Sequence, residues 1–176
     1  MTLPALQHLL RSALALAEDR HLIVLGSASL LASHPSLGEA QGILTSTFDA
    51  DICPEPFDEL TGRMLDEALG ENRAYYERHG YHADILRDSI FETLPQGWRE
   101  RLVPVPGIPN AQALDPHDLA AVKLLVGRPK DLALLQTLHA SHLLDPLQVQ
   151  HRLAAIPQTE TQLARSHQNF QTVFNP

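Results

Sequence analysis

The run HLIVLG at residues 21–26 is the feature that most limits the fold. Leu22–Leu25 are apolar without interruption, so a strand here has no polar face to turn to water and is buried on both sides. Gly26 ends the run, and SASLLAS follows at once as the first turns of a helix. Ahead of it, residues 3–18 carry Leu6, Leu9, Leu10, Ala13, Leu14 and Ala17 at helical spacing, one apolar stripe.

The pattern continues as alternating helices and strands. Residues 43–52, ILTSTFDADI, read as a second strand, and residues 57–70 as a helix with Leu60, Met64, Leu65, Ala68 and Leu69 on its apolar face. A short helix over 72–79 stops at Gly80. YHADIL at 81–86 alternates as a third strand, and WRERLVPVPG at 98–107 gives a short fourth whose prolines place it at an edge or an end. The order α-β-α-β-α-β-β is that of an α/β chain. After Gly107 the character changes. Asp115-Pro116 opens a helix that Gly127 closes, RPKDLALLQTLHASHLL is a second helix, Asp145-Pro146 opens a third, and residues 158–172 form a polar fourth. The expected organisation is an α/β core over 1–107 and a helical segment over 108–176 packed on it.

Composition removes several classes of function. With 44% apolar residues in 176, the chain is globular and large enough for a substantial core. Its single cysteine, Cys53, allows no internal disulfide and, with no base beside it, reads as packing. The opening MTLPALQHLLRSALALAEDR lacks a basic leader and reads as a helix, not a signal peptide. No apolar stretch is long enough to span a membrane, so a cytoplasmic location is expected. A net charge of −8 argues against a generally basic nucleic-acid surface. His139 and His142 are an i,i+3 pair with no third ligand at suitable spacing, and they read as structural or surface residues.

Chemistry concentrates in the second strand. Alternation puts Thr45, Thr47, Asp49 and Asp51 on one face and Leu44, Phe48, Ala50 and Ile52 on the other. Two carboxylates about 6.6 Å apart along a strand point the same way. Burying them together is costly unless a cation compensates the charge. A pair so placed can converge on divalent ions, which in two-metal phosphoryl transfer sit about 3.5–4 Å apart. Asp84 in the third strand is a candidate third carboxylate. Gly26 allows a sharp turn and Ser27 begins the helix behind it, so exposed N–H groups there suit an anion. In the first C-terminal helix, Leu119, Val122, Leu125 and Val126 form the apolar stripe, with Lys123 on its margin. That lysine can lay its stem on the core and send its ammonium into a cleft. Arg128 could contact phosphate, and Asp131 could cap the next helix or orient Arg128 or Lys123.

Gly26-Ser27 after a strand, TFDADI at 47–52 on the next, and Asp84 on a later one resemble the minimal nucleotidyltransferase fold of the polymerase-beta-like superfamily. The longer spacing between the two motifs, together with LDPHDLAAVKLLVGRPKDLALL, is similar to the AbiEii-type branch, which includes toxins of toxin–antitoxin systems. The resemblance covers about residues 20–140 and implies a small mixed sheet with flanking helices and a C-terminal helical segment. It also implies a Mg²⁺- or Mn²⁺-dependent transfer of a nucleoside monophosphate from an NTP to an acceptor hydroxyl on tRNA, protein or a small molecule. Asp49, Asp51 and Asp84 would ligate metal and carry catalysis with Lys123. Gly26, Ser27, Thr47, Lys123 and Arg128 would hold the nucleotide. A cognate antitoxin or regulator is the partner such a toxin would have. The alternatives are a non-catalytic nucleotide-binding or interaction module on the same fold, and a metal-dependent phosphohydrolase using the same carboxylates.

Overall fold

A computed structural model describes residues 1–175 as a mixed α/β chain. The elements are α1 (Leu3–Leu16), β1 (His21–Val24), α2 (Leu30–Ser33), β2 (Asp49–Glu55), α3 (Glu59–Leu69), α4 (Ala74–His79), β3 (His82–Ile85), β4 (Val103–Pro104) and β5 (Ala111–Ala113), followed by α5 (Pro116–Val126), α6 (Pro129–Ala140), α7 (Pro146–Ala154) and α8 (Glu160–Phe174). The chain forms two compact units. The first comprises Met1–Ile90 and Leu102–Asp115, and the second Phe91–Arg101 and the chain from Pro116 onward.

The first unit is built on one mixed sheet in the order β3-β2-β1-β5-β4. β1 pairs antiparallel with β2 and parallel with β5, while β2 pairs parallel with β3. As the apolar run requires, Leu22, Ile23 and Val24 are all buried, so both faces of β1 are covered. Leu6, Leu9, Leu10 and Ala13 bury the inner stripe of α1. The N-cap of α1 is Thr2, whose hydroxyl accepts from the Ala5 N–H at 3.2 Å. The hydroxyls of Tyr75 and Tyr81 meet His8 Nδ1 at 2.8 and 2.9 Å, tying α4 and the start of β3 to α1.

Four local expectations change. The second strand begins at Asp49, not at residue 43, because residues 42–47 close on themselves. The Leu44 N–H bonds back to Leu37 and the Thr47 N–H to Leu44, and the Thr45 hydroxyl donates to the Gly42 carbonyl. The Met1 α-amine donates to the Leu44 and Thr47 carbonyls, holding the turn from inside. Thr45 and Thr47 therefore lie off the strand, and Phe48, expected against the core, is 52% exposed. Leu60 stands in the first turn of α3 and faces solvent, leaving Leu65 and Leu69 as the buried leucines of that helix. WRERLVPVPG is a 3₁₀ turn over Trp98–Arg101 followed by the two-residue edge strand β4. β5, which no apolar run announces, fills the sheet between β1 and β4.

The helices of the second unit keep their expected punctuation. Pro116, Pro129 and Pro146 each stand first in their helix, and Gly127 follows α5 with φ +69°. The Asp145 carboxylate caps α7 by accepting from the Leu147 N–H at 2.9 Å. The buried side of α5 runs through Leu119, Ala120, Ala121 and Leu124, while Val126, assigned to the stripe from spacing, is exposed. Asp118 is fully buried in α5. The Arg101 guanidinium donates to both its oxygens at 2.9 and 3.0 Å, and Arg152 Nε approaches at 3.3 Å, so the segment Phe91–Arg101 and α7 both close on one carboxylate.

Candidate functional site

The register of β2 and β3 builds the site. Asp51 stands opposite Asp84 and Asp49 opposite His82 in the parallel pairing. Paired residues of neighbouring strands share a face, and alternate residues along one strand do too. Asp49, Asp51, His82 and Asp84 therefore all face one way, while Ala50, Ile52 and Ala83 bury the other face. Each of the three aspartates offers a carboxylate oxygen within 4.8 Å of the others. Among the described residues this is the one group of three or more side chains that could hold a metal ion.

Burial pushes the Asp84 carboxyl above the usual carboxylate range, against the pull of His82, and Asp49 adds to the rise. Burial first and the neighbouring Asp49 second disfavour the ionised form of Asp84, an effect that a bound cation would offset. An all-oxygen donor set at this spacing fits a hard divalent cation such as Mg²⁺ or Mn²⁺.

Gly26 borders the site directly. Its φ of +48° lies where side chains are rarely found, and a Cβ there would stand 1.7 Å from Asp51 Oδ2. Only a glycine lets the Asp51 carboxylate lie against this turn. The Leu25 N–H bonds to the Asp51 carbonyl at 2.8 Å and so fixes the turn beside β2. The Ser29 hydroxyl donates to the Gly26 carbonyl at 2.8 Å, and Ser27 opens the 3₁₀ turn that leads into α2.

Of the remaining candidates, Thr47 sits in the turn before β2, where its carbonyl is used by the Met1 amine. Lys123 and Arg128 belong to the second unit. The Lys123 ammonium makes a short ion pair with the buried Asp131, joining α5 to α6, and Arg128 is exposed just ahead of α6. Asp118, Lys123 and Asp131, three charged positions of the helical motif, thus all take part in ion pairs inside that unit. His139 packs edge-on against Phe174, and Cys53 is buried. His82 is the residue at this face that the sequence motifs do not single out. A histidine two residues before an aspartate on an alternating strand is the signal that could have marked it.

No helix among the described residues is long and apolar enough to cross a membrane. No curated protein and no solved structure matches the chain. A family model described as "Nucleotidyltransferase of unknown function (DUF6036)" matches residues 2–174. With nearly the whole chain covered and three carboxylates gathered beside a glycine turn, the protein belongs to this nucleotidyltransferase family.

Proposed function

We propose that the protein is a divalent-cation-dependent nucleotidyltransferase whose active face is made by Asp49, Asp51 and Asp84. The observation that carries this reading is the convergence of the three carboxylates from two neighbouring strands. A non-catalytic module on the same fold has no need of Asp84 turned toward the other two. Asp49, Asp51 and Asp84 would hold the metal. The bound cation, Mg²⁺ or Mn²⁺, would supply charge neutralisation and Lewis-acid polarisation at the α-phosphate.

The chain's own residues do the remaining work. The Gly26-Ser27 turn offers backbone N–H groups to the β- and γ-phosphates, with its shape held by the Ser29 hydroxyl. Asp84 orients the acceptor hydroxyl and takes its proton. The hydroxyl attacks the α-phosphate in line, the bond to the β-phosphate breaks, and pyrophosphate leaves. Positioning and electrostatics supply most of the rate. We assign Lys123 to its ion pair with Asp131, which fastens α5 to α6, rather than to phosphate.

The test is transfer of label. Each α-labelled NTP is incubated with the protein, Mg²⁺ or Mn²⁺, and total tRNA or lysate protein. The expected result is label on an acceptor with release of pyrophosphate, abolished by Asp49→Ala with Asp51→Ala. Label transfer that survives the double substitution removes the site assignment. Release of orthophosphate alone replaces the reading with a phosphohydrolase. The labelled acceptor identifies the substrate class, and growth arrest on expression, relieved by a neighbouring gene product, would mark a toxin.

A further inference from the structure

We propose that His82 is a positioning residue for the carboxylate site: its buried imidazole holds Asp84 turned toward Asp49 and Asp51. The inference rests on those three aspartates being a cation site.

His82 opposite Asp49 and Asp84 opposite Asp51 lie on the same face of adjacent parallel strands. The imidazole is nine-tenths buried, with a side-chain exposure of 10% against 48% for Asp84. Its Nε2 stands 3.4 Å from Asp84 Oδ1. The ring is seated edge-on against Tyr76, centroids 5.0 Å apart at 86°, and the His82 N–H bonds to the Phe48 carbonyl at 2.9 Å. Backbone and ring are thus fixed from two sides, and the nitrogen facing the site is Nε2.

The other nitrogen, Nδ1, is buried with no hydrogen-bond partner. A buried polar atom left unpaired costs free energy, and an apolar side chain would pack against Tyr76 without that cost. Packing therefore does not account for a histidine here, whereas Asp84 does. The Asp84 side chain is half exposed and repelled by Asp49, and both effects favour its swinging out to solvent. A proton on Nε2 gives it an anchor inside the site, and the same tautomer leaves a lone pair, not an N–H, at the unpaired Nδ1. Outer partners that fix a ligating side chain are worth about 10–100-fold in metal affinity.

Mn²⁺ titration of the full chain, read by the electron paramagnetic resonance signal of free Mn²⁺, tests this. His82→Phe keeps a buried ring against Tyr76 and removes the donor, and His82→Leu is a second donor-free form in case one folds poorly. His82→Gln returns a side-chain N–H. We expect the donor-free forms to bind Mn²⁺ about 10–100-fold more weakly than wild type and His82→Gln to recover most of the loss, with circular dichroism melts confirming the folded state. Donor-free variants that bind as tightly as wild type overturn the inference, as does a glutamine form no better than they are. Asp49→Asn and Asp51→Asn separate the two claims. If these leave Mn²⁺ binding unchanged, the cation site itself fails. If they abolish it while His82→Phe does not weaken it, only the assignment of His82 falls.

Discussion

At the scale of single residues, Gly26 and Asp51 constrain each other. A methyl group at residue 26 would occupy the space of the Asp51 carboxylate and would have to adopt φ +48° as well. Gly26→Ala is therefore expected to displace Asp51 while leaving the sheet, whose pairing ends at Val24, intact. A displacement near 1 Å at a reacting centre lowers rates by about 10²-fold. That loss, measured in the label-transfer assay on a protein with an unchanged circular dichroism spectrum, is the predicted outcome. Asp49, Asp51 and Asp84 were all legible in the sequence, because the period of two and the apolar residues between them place carboxylates on one face. The closeness of Gly26 to Asp51 was not, because it depends on β1 and β2 being neighbours.

Elements differ in how openly the sequence states them. β1 declares itself by an uninterrupted apolar run, and α5, α6 and α7 by proline at the first position. β5 is Ala-Gln-Ala, with no β-branched or aromatic residue, and it exists because β1 offers it a parallel ladder and β4 an antiparallel one. Residues 43–48 mislead in the opposite direction. Isoleucine and threonine favour strands, but here hydrogen bonds within the turn win. At α3, Asp58 is held below the usual carboxylate range, first by the Thr61 N–H and hydroxyl and then by Arg20. A lowered folded-state pKa contributes stability that is present above the ordinary value of 3.8 and lost as pH falls below it. The stability gap between wild type and Asp58→Ala should thus be constant near neutrality and shrink in acid unfolding below that pH. The sequence offered Asp131 as a partner for Lys123, but the ion pairs of Asp118 with Arg101 and Arg152 were beyond it, since no motif or helical spacing links those residues. Asp118→Ala leaves two guanidinium groups facing a buried gap and should cost about 3–5 kcal/mol in urea unfolding. A cost below about 1 kcal/mol would show that the guanidiniums find water or other partners.

For the whole molecule, the α/β character followed from the alternation of helices and strands and from one strand that must be buried. The path of the chain did not. It leaves the first unit at Phe91, returns at Leu102 and leaves again at Pro116, and nothing in composition marks the first two crossings. On the proposed reading, the carboxylate face would give the folded protein a ligand-dependent stability. A cation that binds only the folded state adds about 2.7 kcal/mol at 100 times its dissociation constant. Mg²⁺ or Mn²⁺ should accordingly raise the melting temperature of wild type and leave that of the Asp49→Asn, Asp51→Asn double variant where it was.

The central claim, that Asp49, Asp51 and Asp84 together form a cation site for nucleotide chemistry, is tested most directly by anomalous scattering from crystals grown with Mn²⁺ and an NTP analogue whose α–β bond cannot break. The account predicts manganese peaks ligated by these three carboxylates, with the phosphates against the Gly26-Ser27 turn. Manganese and nucleotide bound elsewhere, or a nucleotide seated with no metal on the three aspartates, would contradict it.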